Sequence, residues 1–120
     1  MISRKHRFHD YGSLRHVYRH GVTTRGPSFS LKVLENPKRD SYRLAVVVAR
    51  KINKSAVARN RIRRRLYEVV RTNENDILKA YDIVLTVFHD SVIDEPVESL
   101  TSQLKKQLSA AGVLAKRIKK

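Results

Sequence analysis

Residues 50–68, RKINKSAVARNRIRRRLYE, combine a helical apolar stripe with a concentration of positive charge. The central part, Ser55 to Leu66, holds five arginines and no acid. At 3.6 residues per turn, Ala58, Ile62, Leu66, Val69 and Val70 fall on one side of a helix predicted from about Ser55 to Arg71. Asn60, Arg61, Arg63, Arg64 and Arg71 fan over the other side, and Arg59 and Arg65 lie at the two edges of the stripe. Ser55 suits the N-cap, because its hydroxyl can accept from an N–H of the first turn. A helix that only packs on a core has no need of this charge. No acids interleave to form the i,i+4 pairs of an ordinary solvated face. A guanidinium is a planar fork that matches two phosphate oxygens and stays charged at any physiological pH. Upstream, Arg50, Lys51 and Lys54 stand where a strand ends and the helix begins, a position that favours anions.

The neighbouring segments set this helix in a sheet. YRLAVVVAR (residues 42–50) is a continuous apolar run and reads as a central strand buried on both faces. YDIVLTVF (81–88) reads as a second buried strand. With the helix between them they form one β-α-β crossover, which the general rule makes right-handed. In PSFSLKVLEN (27–36), Phe29, Leu31 and Val33 point one way and Ser30 and Lys32 the other, as in a half-buried strand. A short extra strand is expected over 22–25, and NPKRDS (36–41) reads as a turn. DYGSLRHVYRHG (10–21) spaces Tyr11, Leu14, Val17 and Tyr18 as a short helix that Gly21 can end. DEPVESLTSQLKKQLSAAG (94–112) reads as a last helix with Pro96 in its first turn, Gly112 at its end, and an apolar stripe of Val97, Leu100, Leu104, Leu108 and Ala111. The expected fold is a small α/β (α+β) sandwich in the order α-β-β-β-α-β-α with a four-stranded sheet. One domain over residues 1–112 and a basic tail over 113–120 are expected.

Charge narrows the partner class. The 120 residues carry 26 Lys and Arg against 11 Asp and Glu, a net charge of +15. The charges are segregated: residues 50–71 hold nine Lys or Arg and one acid, Glu68, whereas residues 72–100 hold seven of the acids and one lysine. Such a distribution fits a polyanion-binding face opposed by an acidic one, with nucleic acid the first partner class and an anionic membrane surface the second. The absence of cysteine excludes disulfides, thiolate metal sites and a cysteine nucleophile, and fits a reducing cytoplasm. No run of about 20 apolar residues is present to span a membrane, and MISRKHRFHDY lacks the apolar core of a signal peptide.

Two other functions are compatible with these features. His16 and His20 lie four apart on the first predicted helix, with His6 and His9 nearby; such a pair can act as acid and base on RNA, or hold a metal. Asp10 is the only acid among the first 34 residues, which argues against a carboxylate-rich metal site there. A ribosomal or DNA-binding module is the other alternative, since basic composition alone does not separate it from an RNA-processing role.

The basic segment resembles the bacterial ribonuclease P protein subunit. The shared pattern is Arg50-Lys51, a short loop, Ala56-Val57, Arg59-Asn60-Arg61, Ile62, then Arg63-Arg64. LRHVYRHG, Phe29 eight residues after Gly21, and the strand ending in ARK match the family's order and spacing, and the likeness covers roughly residues 4–112. The resemblance implies a protein without catalytic residues or a metal site of its own. In that family a large RNA cleaves the 5′ leader from precursor tRNA with magnesium bound mainly by the RNA. It implies that Arg50, Lys51, Lys54, Arg59, Asn60, Arg61, Arg63 and Arg64 face the RNA subunit, in a 1:1 complex in the cytoplasm. It further implies that Leu14, Tyr18, Phe29 and Lys32 line or border a cleft for the single-stranded leader, where aromatic faces and a cation suit a strand of any sequence. The family's crossover is left-handed, against the general rule. The sequence departs from the family's common residues at Leu14, Tyr18, Lys32, Asn53 and Tyr67.

Overall fold

The computed structural model describes residues 11–36, 41–74, 77 and 80–112. The elements run α1 (Tyr11–His20), β1 (Val22–Arg25), β2 (Phe29–Glu35), β3 (Arg43–Val47), α2 (Ala56–Thr72), β4 (Tyr81–Val87), a 3-10 turn (Asp90–Ile93) and α3 (Val97–Ala110). This is the α-β-β-β-α-β-α order expected. The sheet is mixed, in the order β1-β2-β4-β3. β1 and β2 form an antiparallel hairpin, β2 and β4 are antiparallel, and β3 and β4 are parallel. The crossover is therefore present, with α2 joining parallel neighbours. The expected turn at NPKRDS lies largely outside the described residues, as does the basic tail 113–120.

One expectation is corrected. The apolar run at 42–50 is not the central strand: β3 lies at the sheet edge, and β4 takes the centre between β2 and β3. An edge strand covered on one face by α2 needs apolar residues much as a central one does, so hydrophobic content alone does not tell them apart.

The register explains the core. Val33 lies opposite Ile83, which lies opposite Leu44; Leu31 opposite Leu85, which lies opposite Val46; Phe29 opposite Val87. These rows share one face of the sheet. Ile62, Leu66, Val69 and Val70 of α2 and Leu100, Leu104 and Leu108 of α3 close over them in a single buried cluster. The α3 stripe differs from expectation at two places. Val97 is 51% exposed, while Gln107 is buried at 4%. Gln107 is drawn inward because its Nε2 donates to the backbone oxygen of Phe29 at 3.0 Å, tying α3 to the hairpin. Gly26 makes room for it: a Cβ there would stand 2.4 Å from Gln107 Nε2.

α1 packs on the opposite face, against β2 and β4. Val17 is its fully buried contact. The chain leaves α1 through Gly21, whose N–H donates to Val17 O at 2.8 Å. A Cβ at Gly21 would meet Val17 O at 2.7 Å and Lys32 Cγ at 3.0 Å, so only glycine lets the helix end sit this close to β2. On this face β3 and β4 are also joined by a buried ion pair: Arg43 Nε and NH2 donate to the two oxygens of Asp82 at 2.9 and 2.8 Å. Asn36 adds a third hydrogen bond to the same carboxylate. Satisfied on several sides, this pair locks the β3–β4 register at comparatively low desolvation cost.

Candidate nucleic-acid interface

α2 starts as its sequence requires. Ser55 is extended, at φ −75° and ψ 121°, and its Oγ accepts from Ala58 N at 3.1 Å. The loop before it is held by Asn53, whose Oδ1 accepts from Ser55 N at 2.9 Å and whose Nδ2 donates to Asp90 at 3.2 Å. The β3–α2 loop is thus tied both to its own helix and to the segment after β4. Asn53 was not singled out as functional; its fit to an Asx-type turn ahead of a serine cap is the signal that could have found it.

On this frame Arg50, Lys51, Lys54, Asn60, Arg61 and Arg64 are all exposed. Asn60, Arg61 and Arg64 follow i, i+1, i+4 spacing on the side of α2 away from Ile62 and Leu66, with Lys54 a turn or so upstream. Six of the eight predicted RNA-facing residues therefore lie on accessible surface. Arg63 is half-buried. Arg59 is also half-buried, and its Nε is buried with no hydrogen-bond partner. Its place at the stripe's edge was legible, but not that burial of its Nε. Arg65, at the other edge, donates to Val92 O at 2.6 Å and so ties α2 to the 3-10 turn. Arg71 is exposed but ion-paired with Glu68, which holds the Glu68 carboxyl below its usual range. The acid-free ground on α2 ends there, one turn past Arg64.

Three of the four residues predicted for the leader cleft lie on the α1 side of the sheet. Leu14 is half-buried and Tyr18 is 41% exposed, one turn apart and beside Val17 on α1. Lys32 is half-buried on the α1-facing side of β2, its stem against Gly21. Phe29 does not join them. It is fully buried in the cluster under α2 and α3, because Phe29 and Lys32 are three apart on one strand and so face opposite ways. A half-buried aromatic at the end of the sheet is Phe88, with the Arg25 guanidinium 4.7 Å from its ring centroid. This cation–aromatic pair was not anticipated, and a Phe directly after a buried strand is its only sequence trace.

His16 and His20 are exposed, with ring centroids 4.6 Å apart. His16 shares a concavity of about 290 Å³ with Gly12, Arg15 and Arg19. Two arginines so close oppose a metal cation and suit an anion. Among the described residues no group of three or more His, Cys, Asp or Glu is placed to hold a metal ion. His6 and His9 lie outside the described residues. Among those described, no helix is long and apolar enough to cross a membrane.

The family description "Ribonuclease P" matches residues 2–112 of this sequence. The chain belongs to the ribonuclease P protein family. A ribonuclease P protein component of Pseudanabaena sp. is 32% identical over 115 residues, covering 95% of this chain and 97% of the relative. Among solved structures, the ribonuclease P protein of Staphylococcus aureus superposes with a TM-score of 0.78 at 24% identity, covering 92% of this chain and 98% of the other. That of Thermotoga maritima gives 0.76 at 23% identity, covering 87% and 96%. At these identities the two structures establish a shared fold. Membership makes the chain the protein component of the endoribonuclease that matures tRNA 5′ ends.

Proposed function

We propose that this ribonuclease P protein binds the catalytic RNA subunit, one chain per RNA, through the acid-free face of α2 and the loop before it. Arg50, Lys51, Lys54, Asn60, Arg61 and Arg64 make the exposed contacts, with Arg63 and Arg59 at the margin. The observation that carries this reading is the run of exposed cations from the clamped loop before α2 onto one side of the helix, with the first acid held back to Glu68. Phosphate neutralisation by this face offsets repulsion between the RNA subunit and precursor tRNA, and lowers the magnesium the RNA requires. Magnesium is held mainly by the RNA, and no residue of this chain enters the chemistry. The leader of precursor tRNA lies between α1 and the sheet, against Tyr18, Leu14 and Lys32, in the cytoplasm. A strand stacked there raises affinity for precursor over mature tRNA, which lacks the leader.

Reconstitution tests this directly. The purified chain is mixed with a bacterial ribonuclease P RNA and a precursor tRNA at low magnesium, and leader release is followed. Cleavage at the mature 5′ end is expected only when both RNA and protein are present. Cleavage by the protein alone would overturn the proposal and point to His16 and His20. Tight RNA binding without any stimulation of cleavage would favour a general RNA-binding role.

A further inference from the structure

Val57 is 72% exposed, more than Tyr18, Val22 or Val97, the other large hydrophobic side chains exposed among the described residues. It lies in the first turn of α2, directly after Ala56. Val57, Asn60, Arg61 and Arg64 follow i, i+3, i+4, i+7 spacing and so form one outward stripe. All four are exposed, and Lys54 lies one turn before Val57. The valine therefore stands within the cationic ground, not at its rim.

Nothing in the fold of the isolated chain accounts for this choice. A β-branched residue gives up rotamer freedom in a helix and is a poorer helix former than alanine. An exposed position returns no packing to offset that. Phosphate recognition does not need it either, since two methyl groups offer nothing to a phosphate oxygen. The apolar surfaces of an RNA are the faces of its bases, which become accessible where a loop or bulge leaves a base unpaired and unstacked. An apolar side chain ringed by cations is complementary to such a base flanked by its own phosphates.

We infer that Val57 packs against an unpaired nucleobase of the RNA subunit while the surrounding Lys54, Arg61 and Arg64 hold the adjoining phosphates. This rests on the proposed use of α2 as the RNA-subunit face. It adds a salt-independent apolar contact to an interface whose other contacts are mainly electrostatic. It also fixes where along the RNA the arginines settle, since phosphates repeat and an unpaired base does not.

The two kinds of contact separate in a salt titration. Binding of the full chain to a bacterial ribonuclease P RNA is measured from about 50 to 200 mM salt, for the parent and for Val57→Ser, Val57→Leu and Arg61→Ala. Arg61→Ala is expected to weaken binding and to flatten the dependence of log affinity on log salt by about one unit. Val57→Ser is expected to weaken binding about fivefold at every salt concentration, with the slope unchanged. Val57→Leu, which keeps an apolar surface, is expected to restore most of that loss. Thermal denaturation of each variant is followed alongside, and at 72% exposure no change is expected for Val57→Ser. If Val57→Ser matches the parent while Arg61→Ala is flattened, the base contact is refuted and the RNA face stands. If Val57→Ser alters the slope, or Val57→Leu binds no better than Val57→Ser, the valine is not an apolar contact. If neither Val57→Ser nor Arg61→Ala changes binding, α2 is not the RNA face and both readings fall.

Discussion

The two faces of the sheet are used differently. On one, α2 and α3 close over three strands, and Leu31, Leu85 and Leu44 have no exposure at all. On the other, a ten-residue helix buries Val17 but leaves Tyr18 41% exposed and Lys32 only half-covered. The closed face accounts for most of the apolar burial and so most of the stability. The open face keeps an aromatic, an aliphatic and a cation within reach of solvent, at the expense of burial. A chain of 120 residues with net charge +15 opposes its own compaction. Concentrating burial on one face leaves the other face, and the outside of α2, open to solvent, as the proposed RNA contacts require.

The strongest test of this division is Leu85→Ala. Leu85 sits at the centre of the closed face, between Leu31 and Val46. Truncation is expected to cost about 2–5 kcal/mol in denaturant unfolding. A loss well under 1 kcal/mol would mean that the closed face does not dominate stability. Tyr18→Ala should show the converse. Its unfolding free energy is expected to change little, while precursor tRNA binding by the reconstituted enzyme falls by about 1–3 kcal/mol, as for loss of one base–aromatic stack. Mature tRNA, having no leader, should be unaffected. A loss of stability with no change in precursor preference would return Tyr18 to the core.

The smallest effect is expected at the boundary of the cationic ground. Glu68→Gln releases Arg71 from its ion pair, so the RNA-subunit affinity should rise about twofold and its salt dependence steepen by somewhat less than one unit. An unchanged salt dependence would show that the RNA contact ends before Arg71. The same pair has a pH signature. Because the Arg71 hydrogen bond lowers the Glu68 pKa, whatever the pair contributes is present above the ordinary carboxyl pKa and is lost as pH falls through the lowered one.

Much of this arrangement was legible from local pattern. Ser55 as cap and the buried set Ile62, Leu66, Val69 and Val70 followed from helical periodicity and cap chemistry, because α2 is long and its two sides differ sharply. Strand alternation correctly grouped Phe29, Leu31 and Val33. The same alternation, applied once more, would have shown that Phe29 and Lys32 cannot line one cleft; there the family resemblance outran the geometry. The edge position of β3 was not legible, since strand order depends on pairing between distant segments. Neither was the exchange of Val97 for Gln107 on α3, because what draws Gln107 inward is a backbone oxygen 78 residues away. The partner of Arg65 likewise depends on a neighbour that folding supplies, whereas that of Arg71 is Glu68, three residues back on the same helix; a run of arginines reads as uniform in sequence but divides in space.

The strand order has a consequence for how the molecule is made. Among the described residues β4 is the last strand, yet it lies between the other two long ones, and β4 is the one strand that β3 pairs with. During synthesis the β1–β2 hairpin can form early, but β3 and α2 must wait without a sheet to join until residues 81–87 emerge. Pairings between distant segments are slow to form. Through that interval the most positively charged helix of the protein is tethered to an incomplete fold, close to the abundant RNA of the ribosome that is making it.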